Sequence, residues 1–146
     1  MKVLQTVVRD GNTEGHDFSA LTAIEPSLVF VFGSVETLKA GADAIARVFP
    51  AAQRAGCSTA GEISASGVED NSLVVTALHF DHTRAAQFST VLAGMEDSFA
   101  AGKRLASGLP VPGLRAVLIF GQGVAINGSA VLSGMTEILG PKVPIT

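Results

Sequence analysis

Residues 28–50 read LVFVFGSVETLKAGADAIARVFP, and no other part of the chain restricts the possible folds as much. The consecutive apolar residues Leu28 to Phe32 have the look of a buried strand. Gly33 and Ser34 break the run. Leu38, Ala42, Ile45, Ala46 and Phe49 then recur three and four residues apart, the stripe of an amphipathic helix. Ser34 stands where an N-cap belongs, and Pro50 stands where the helix must stop. Strand, small-residue loop and helix in succession are the alternation of an α/β domain.

The alternation continues on both sides. VLQTVV (3–8) reads as a strand, and HDFSALTAI (16–24) as a short helix capped by Asp17 and stopped by Pro26. AAQRAGCS (51–58) is expected as a strand, more from its place between a helix and a turn-rich loop than from propensity. NSLVVTALHF (71–80) and RAAQFSTVL (84–92) read as strands with only Asp81, His82 and Thr83 between them, so an antiparallel pair is expected. DSFAAGKRLASG (97–108) is expected as a helix, with Phe99, Gly102, Ala106 and Leu109 on one side, Asp97 or Ser98 capping and Gly108 closing it. LRAVLIFG (114–121) reads as a strand. NGSAVLSGMTEILG (127–140) reads as a helix with Val131, Leu132, Met135, Ile138 and Leu139 on one stripe. The expected fold is α/β: a mixed, largely parallel sheet with flanking helices and an antiparallel strand pair at about residues 72–92. At 146 residues, with no repeat and no linker longer than LPVPG (109–113), one domain suffices.

Composition removes several classes of partner. Ten Lys and Arg against 13 Asp and Glu leave a net charge of -3 with no basic cluster, so no nucleic acid is expected. Tyr and Trp are absent, which leaves few platforms for base stacking. No apolar run approaches the ~18 residues of a membrane span, and MKVLQTVVRD does not read as a secretory signal. A lone cysteine forms no internal disulfide and fits a reducing compartment, so the cytoplasm is expected. Only 16% of residues are charged, mean hydropathy is +0.42, and the final PKVPIT reads as a strand just beginning. An incomplete domain is therefore expected, its sheet finished by further sequence or another chain; a compact domain with an unusually apolar surface is the alternative.

Three loops carry the polar chemistry. They are FGS, with Gly33 and Ser34; GCSTAGE, with Cys57, Ser58, Thr59, Gly61 and Glu62; and GQGVAINGS, with Gly121, Gln122, Gly123, Asn127 and Ser129. Each follows an expected strand. In open α/β sheets ligands bind beyond the carboxyl ends of the strands, where small residues admit the backbone and helix N-termini present N–H donors. If the strands are parallel the loops form one rim, with Ser58 and Thr59 facing a ligand carboxylate, Glu62 its ammonium, and Asn127 and Ser129 capping or orienting that end. Ordinary turn chemistry is the other reading. GQGVAING is not G-x-G-x-x-G and no GKS or GKT occurs, which weighs against a nucleotide. Cys57 as a nucleophile would need a base or a cation beside it, and none of His16, His79 and His82 is its neighbour in sequence; a structural thiol is favoured. His79 and His82 lack the companions of a zinc site.

GCSTAGEIS, preceded by LVFVFGS and followed by an apolar strand pair and LRAVLIFGQGVAINGSAVLSGM, resembles the N-terminal part of the FIST domain. That family is a sensory input module of bacterial signal-transduction proteins and of some eukaryotic F-box proteins. The resemblance runs from about residue 28 onward. It implies a non-enzymatic domain that binds a small, amino-acid-like ligand and signals to kinase, cyclic-nucleotide or chemotaxis outputs. Some bacterial members are associated with haem and nitric oxide, so the resemblance makes a haem-based gas sensor the alternative; an enzyme using Cys57 is a further one. Family members continue into a second, C-terminal half. The partners implied by the resemblance are thus a small-molecule ligand, that missing half, and an output domain or kinase; the incomplete sheet adds a second copy of the chain in a homodimer.

Overall fold

The computed structural model describes residues 1–9, 12–65 and 67–146. They form two compact units, Met1–Ala85 and Ala86–Thr146, each with its own apolar cluster.

The first unit holds β1 (Lys2–Val8), α1 (Ser19–Thr22), β2 (Leu28–Gly33), α2 (Val35–Val48), β3 (Gln53–Ser58), the hairpin strands β4 (Glu62–Ser64) and β5 (Gly67–Glu69), and β6 (Leu73–His79). Its main sheet has the order β1-β6-β2-β3. β2 and β3 are parallel, while β6 runs antiparallel to both β1 and β2. The mixed α/β class is as expected, but the sheet is not largely parallel, and the antiparallel partner of β6 is not the segment 84–92. β6 lies between β1 and β2 and has no edge left to offer, so residues 84–92 form no strand, with Phe88 and Val91 exposed.

Alternate residues of the sheet point into the core. Val29, Leu73, Val75 and Ala77 pack with Leu21, Ile45 and Phe49 of the helical side, at about 1.5–3 kcal/mol for each large side chain fully buried. Phe30 and Phe32 take the opposite face of β2, their rings stacked at 6.1 Å. α2 is turned from its expected orientation: Thr37, Gly41, Ala44 and Ile45 are buried and Ala42 is exposed. The cause is a close approach. A Cβ on Gly41 would lie 2.7 Å from Leu73 Cδ1 and 2.8 Å from Thr13 Cγ2. α1 is shorter than expected, although Asp17 does accept a hydrogen bond from Ser19 N at 2.8 Å; Glu25, at φ 51, and Pro26 end the segment.

The second unit is built on α3 (Ser98–Ser107), entered through a 3₁₀ turn at Met95–Asp97, and α4 (Gly128–Leu139). The two helices touch backbone to backbone. A Cβ on Gly102 would lie 2.2 Å from Val131 O, and one on Gly134 2.1 Å from Phe99 O. The buried face of α3 is accordingly Ser98, Ala101, Gly102 and Ala106, with Phe99 exposed. On α4, Val131, Gly134, Met135 and Leu139 are buried, whereas Leu132 and Ile138 are exposed. Asp97 occupies the N-cap position of α3 as expected, but its side chain makes no cap hydrogen bond. Ser98 Oγ donates to Met95 O at 2.7 Å and accepts from Asn127 N at 2.9 Å, while the Asp97 carboxylate accepts from Arg104 and from Ala93 N. The strand expected at 114–121 is reduced to a parallel bridge between Val117 and Ile145, with Val117 N donating to Pro144 O and Ile119 N to Thr146 O. A strand needs a partner along its length, and the final residues supply one only opposite Val117–Ile119.

Candidate functional site

Because β2 and β3 are parallel, the first two polar loops leave the sheet side by side at its carboxyl edge, with Gly33 in register with Ser58. Thr59 N donates to Gly33 O at 2.9 Å, carrying the ladder one step beyond the strands. Gly56, at φ +156, makes this pairing possible, since a Cβ there would lie 1.8 Å from Val31 O. Cys57 is half-buried beside Phe32 in the register of the two strands.

Ser34 caps α2 as its sequence position predicts, accepting from Thr37 N at 3.2 Å. The buried Thr37 hydroxyl in turn reaches Ser72 O at 3.0 Å. Ser72, 1% exposed, leads to Glu62, a carboxylate that is itself only 2% exposed. Glu62 Oε2 accepts from Ser72 N at 3.1 Å and from Ser72 Oγ at 2.9 Å, and Oε1 accepts from Thr59 Oγ1 at 2.7 Å. Burial pushes the Glu62 carboxyl upward, but the hydrogen bonds from Thr59 and from the Ser72 backbone and hydroxyl outweigh it and hold the group below its ordinary value. It is ionised at neutral pH. A continuous network thus runs from the α2 cap, through the start of β6, to the GCSTAGE loop.

This geometry revises the roles that residue type suggested. Glu62 does not stand open to a ligand ammonium, because both of its oxygens are engaged inside the protein. Ser72, which completes the network, carries no sequence signal beyond being a small polar residue at the head of an apolar strand. Among the strands expected from the sequence there is no β4–β5 pair, in which Ile63 and Val68 face each other. Both are exposed, at 76% and 72%.

The third loop belongs to the second unit. Gly121, Gln122, Gly123 and Ser129 are exposed there, and Asn127 caps α4, its Oδ1 accepting from Ala130 N at 3.1 Å. A shallow depression of about 440 Å³ in the same unit is lined by Phe88, Thr90, Lys103, Arg104, Ser107 and Gly108, none of them a candidate site residue in the sequence. Its cations are engaged, Arg104 by Asp97 and Lys103 by Glu137.

His16 Nε2 meets Thr6 Oγ1 at 2.8 Å, His79 Nδ1 meets Glu25 O at 2.8 Å, and no histidine borders the depression. Among the described residues no three His, Cys, Asp or Glu side chains are grouped to hold a metal ion, and no helix is long and apolar enough to cross a membrane.

The FIST N domain model matches residues 27–146, from the residue before β2 to the last residue of the chain. The chain belongs to the FIST family. FIST domains are sensory domains of signalling proteins. The match takes in the Thr59–Glu62–Ser72 network, the first unit from β2 onward and all of the second, whereas β1 and α1, which add to the sheet and its core, lie outside it. No curated protein and no solved structure matches this FIST domain.

Proposed function

We propose that this FIST domain binds a small, α-amino-acid-like molecule at the carboxyl ends of β2 and β3, in the bacterial cytoplasm, and passes its occupancy to an output domain or kinase. The observation that carries the reading is the buried, ionised Glu62 behind a loop that lies beside the N-terminus of α2. The first N–H groups of a helix lack intrahelical acceptors and favour a carboxylate, while a buried negative charge close by favours a cation. The two features together suit a zwitterion, with Gly33, Ser34, Ser58, Thr59 and Gly61 around it.

The test is a thermal-shift screen of the chain against the α-amino acids and haemin. A molecule that binds only the folded state stabilises it by about 2.7 kcal/mol at 100 times its dissociation constant. At least one amino acid is expected to raise the unfolding temperature, and Thr59→Val is expected to abolish that rise. A haemin complex with a Soret band removed by His79→Ala, together with no amino-acid response, would replace this reading with a haem sensor.

A further inference from the structure

Thr59 joins the network in a way that fixes its polarity. A threonine hydroxyl has one proton and two lone pairs, whereas an ionised carboxylate has no proton to give. The 2.7 Å contact between Thr59 Oγ1 and Glu62 Oε1 therefore uses the threonine proton. Turning that proton to a ligand would take a donor from Oε1 of a buried carboxylate, while Oε2 is already occupied by the N–H and the hydroxyl of Ser72. The Thr59 backbone N–H is committed as well, to Gly33 O. What the half-buried Thr59 presents outward is lone pairs, with the Glu62 charge directly behind them. Asp70 adds a further acidic group on this side, its Oδ1 lying 3.5 Å from where a Cβ on Gly61 would stand.

We infer that Thr59 meets the ligand only as a hydrogen-bond acceptor, so that this end of the site selects an ammonium or another N–H or O–H donor and turns a carboxylate away. This reverses the expectation that Thr59 binds the ligand's acid group, and it rests on the ligand site proposed above. Glu62 acts as a positioning residue: it sets the direction of the Thr59 proton without touching the ligand.

The experiment uses the full chain with labelled threonine and backbone amides, followed by NMR. Without any ligand, the Thr59 hydroxyl proton is expected to exchange more slowly than those of exposed threonines. Three probes are then titrated: L-alanine, L-alaninamide, which keeps the amine and lacks the acid, and propionate, which keeps the acid and lacks the amine. L-alanine and L-alaninamide are expected to shift the amides of Ser58, Thr59 and Ala60, and propionate is expected to leave them unmoved. Glu62→Gln replaces an acceptor by an amide that can donate to Thr59 and free its proton, so the propionate-to-alaninamide affinity ratio is expected to rise at least tenfold. Thr59→Val keeps the shape, removes the lone pairs and is expected to lose the alaninamide response. A fast-exchanging Thr59 hydroxyl, or propionate shifting these amides as strongly as alaninamide, would overturn the selectivity alone. A protected hydroxyl with no response to any probe would overturn the site itself, and the selectivity with it.

Discussion

Glu62 anchors the GCSTAGE loop through donors of unequal freedom. In Glu62→Ala the hydroxyls of Thr59 and Ser72 lose this acceptor but can turn toward others, whereas the Ser72 N–H cannot turn and is left buried without one. An unsatisfied group of this kind costs about 1–3 kcal/mol, which chemical denaturation of the variant would read directly. Acid adds a second test. The folded-state pKa of Glu62 is depressed below 4.5, so its contribution to stability is complete above that value and is lost as pH falls through the lower folded value. Asp97 behaves alike in the second unit, drawn from 3.8 to about 2 by its hydrogen bonds from Arg104 and Ala93 N. Stability should therefore fall from about pH 5 downward, less steeply in Glu62→Gln than in the parent chain; equal slopes would contradict the role assigned to Glu62. Cys57→Ser should change any ligand-dependent stabilisation by less than about threefold, under ~1 kcal/mol, and abolition of the response with the fold intact would instead implicate the thiol. Residue type and spacing were enough to single out Thr59 and Glu62. Their roles were not legible, because the partner that fixes them, Ser72, is ten residues beyond Glu62 and has no pattern of its own.

At the scale of elements, small residues decide how the helices lie. Apolar periodicity located α2, α3 and α4 within a few residues, yet each buries a face turned toward a glycine, a residue that hydropathy patterns do not register. Gly102→Ala tests this in the second unit. The substitution favours the helix by about 1 kcal/mol in propensity, but the new Cβ meets a backbone oxygen at 2.2 Å, and overpacking of a tight contact costs about 1–3 kcal/mol. A lower unfolding temperature is expected, and a higher one would show that α3 and α4 are not in close contact. Among the strands, β2 was fully legible from its apolar run. The partner of β6 was not, because a short connection argues for a local hairpin while the pairing that forms joins residues 73–79 to residues 2–8, a contact distant in sequence.

For the whole molecule, exposed apolar side chains and edge strands act together. The order of the main sheet leaves β1 and β3 at its edges, and Val3 and Leu4 on β1 and Ile63 and Val68 on the hairpin are all at least 40% exposed. Edges and patches of this kind favour association. Sedimentation across a concentration series should show dimers or larger species, reduced by Val68→Lys; a single monomeric boundary throughout would contradict the expectation. The composition of the chain is matched by these exposed apolar side chains, and two of its three polar loops do leave the carboxyl edge of β2 and β3, but the buried network that organises that edge emerged only with the fold. The claim that this edge is the ligand site of the FIST domain is tested most directly by amide chemical-shift mapping of the full chain against each α-amino acid in turn. The account predicts, for at least one of them, shifts concentrated at residues 33–37 and 58–62; shifts confined to residues 88–108, or none across the panel, would contradict it.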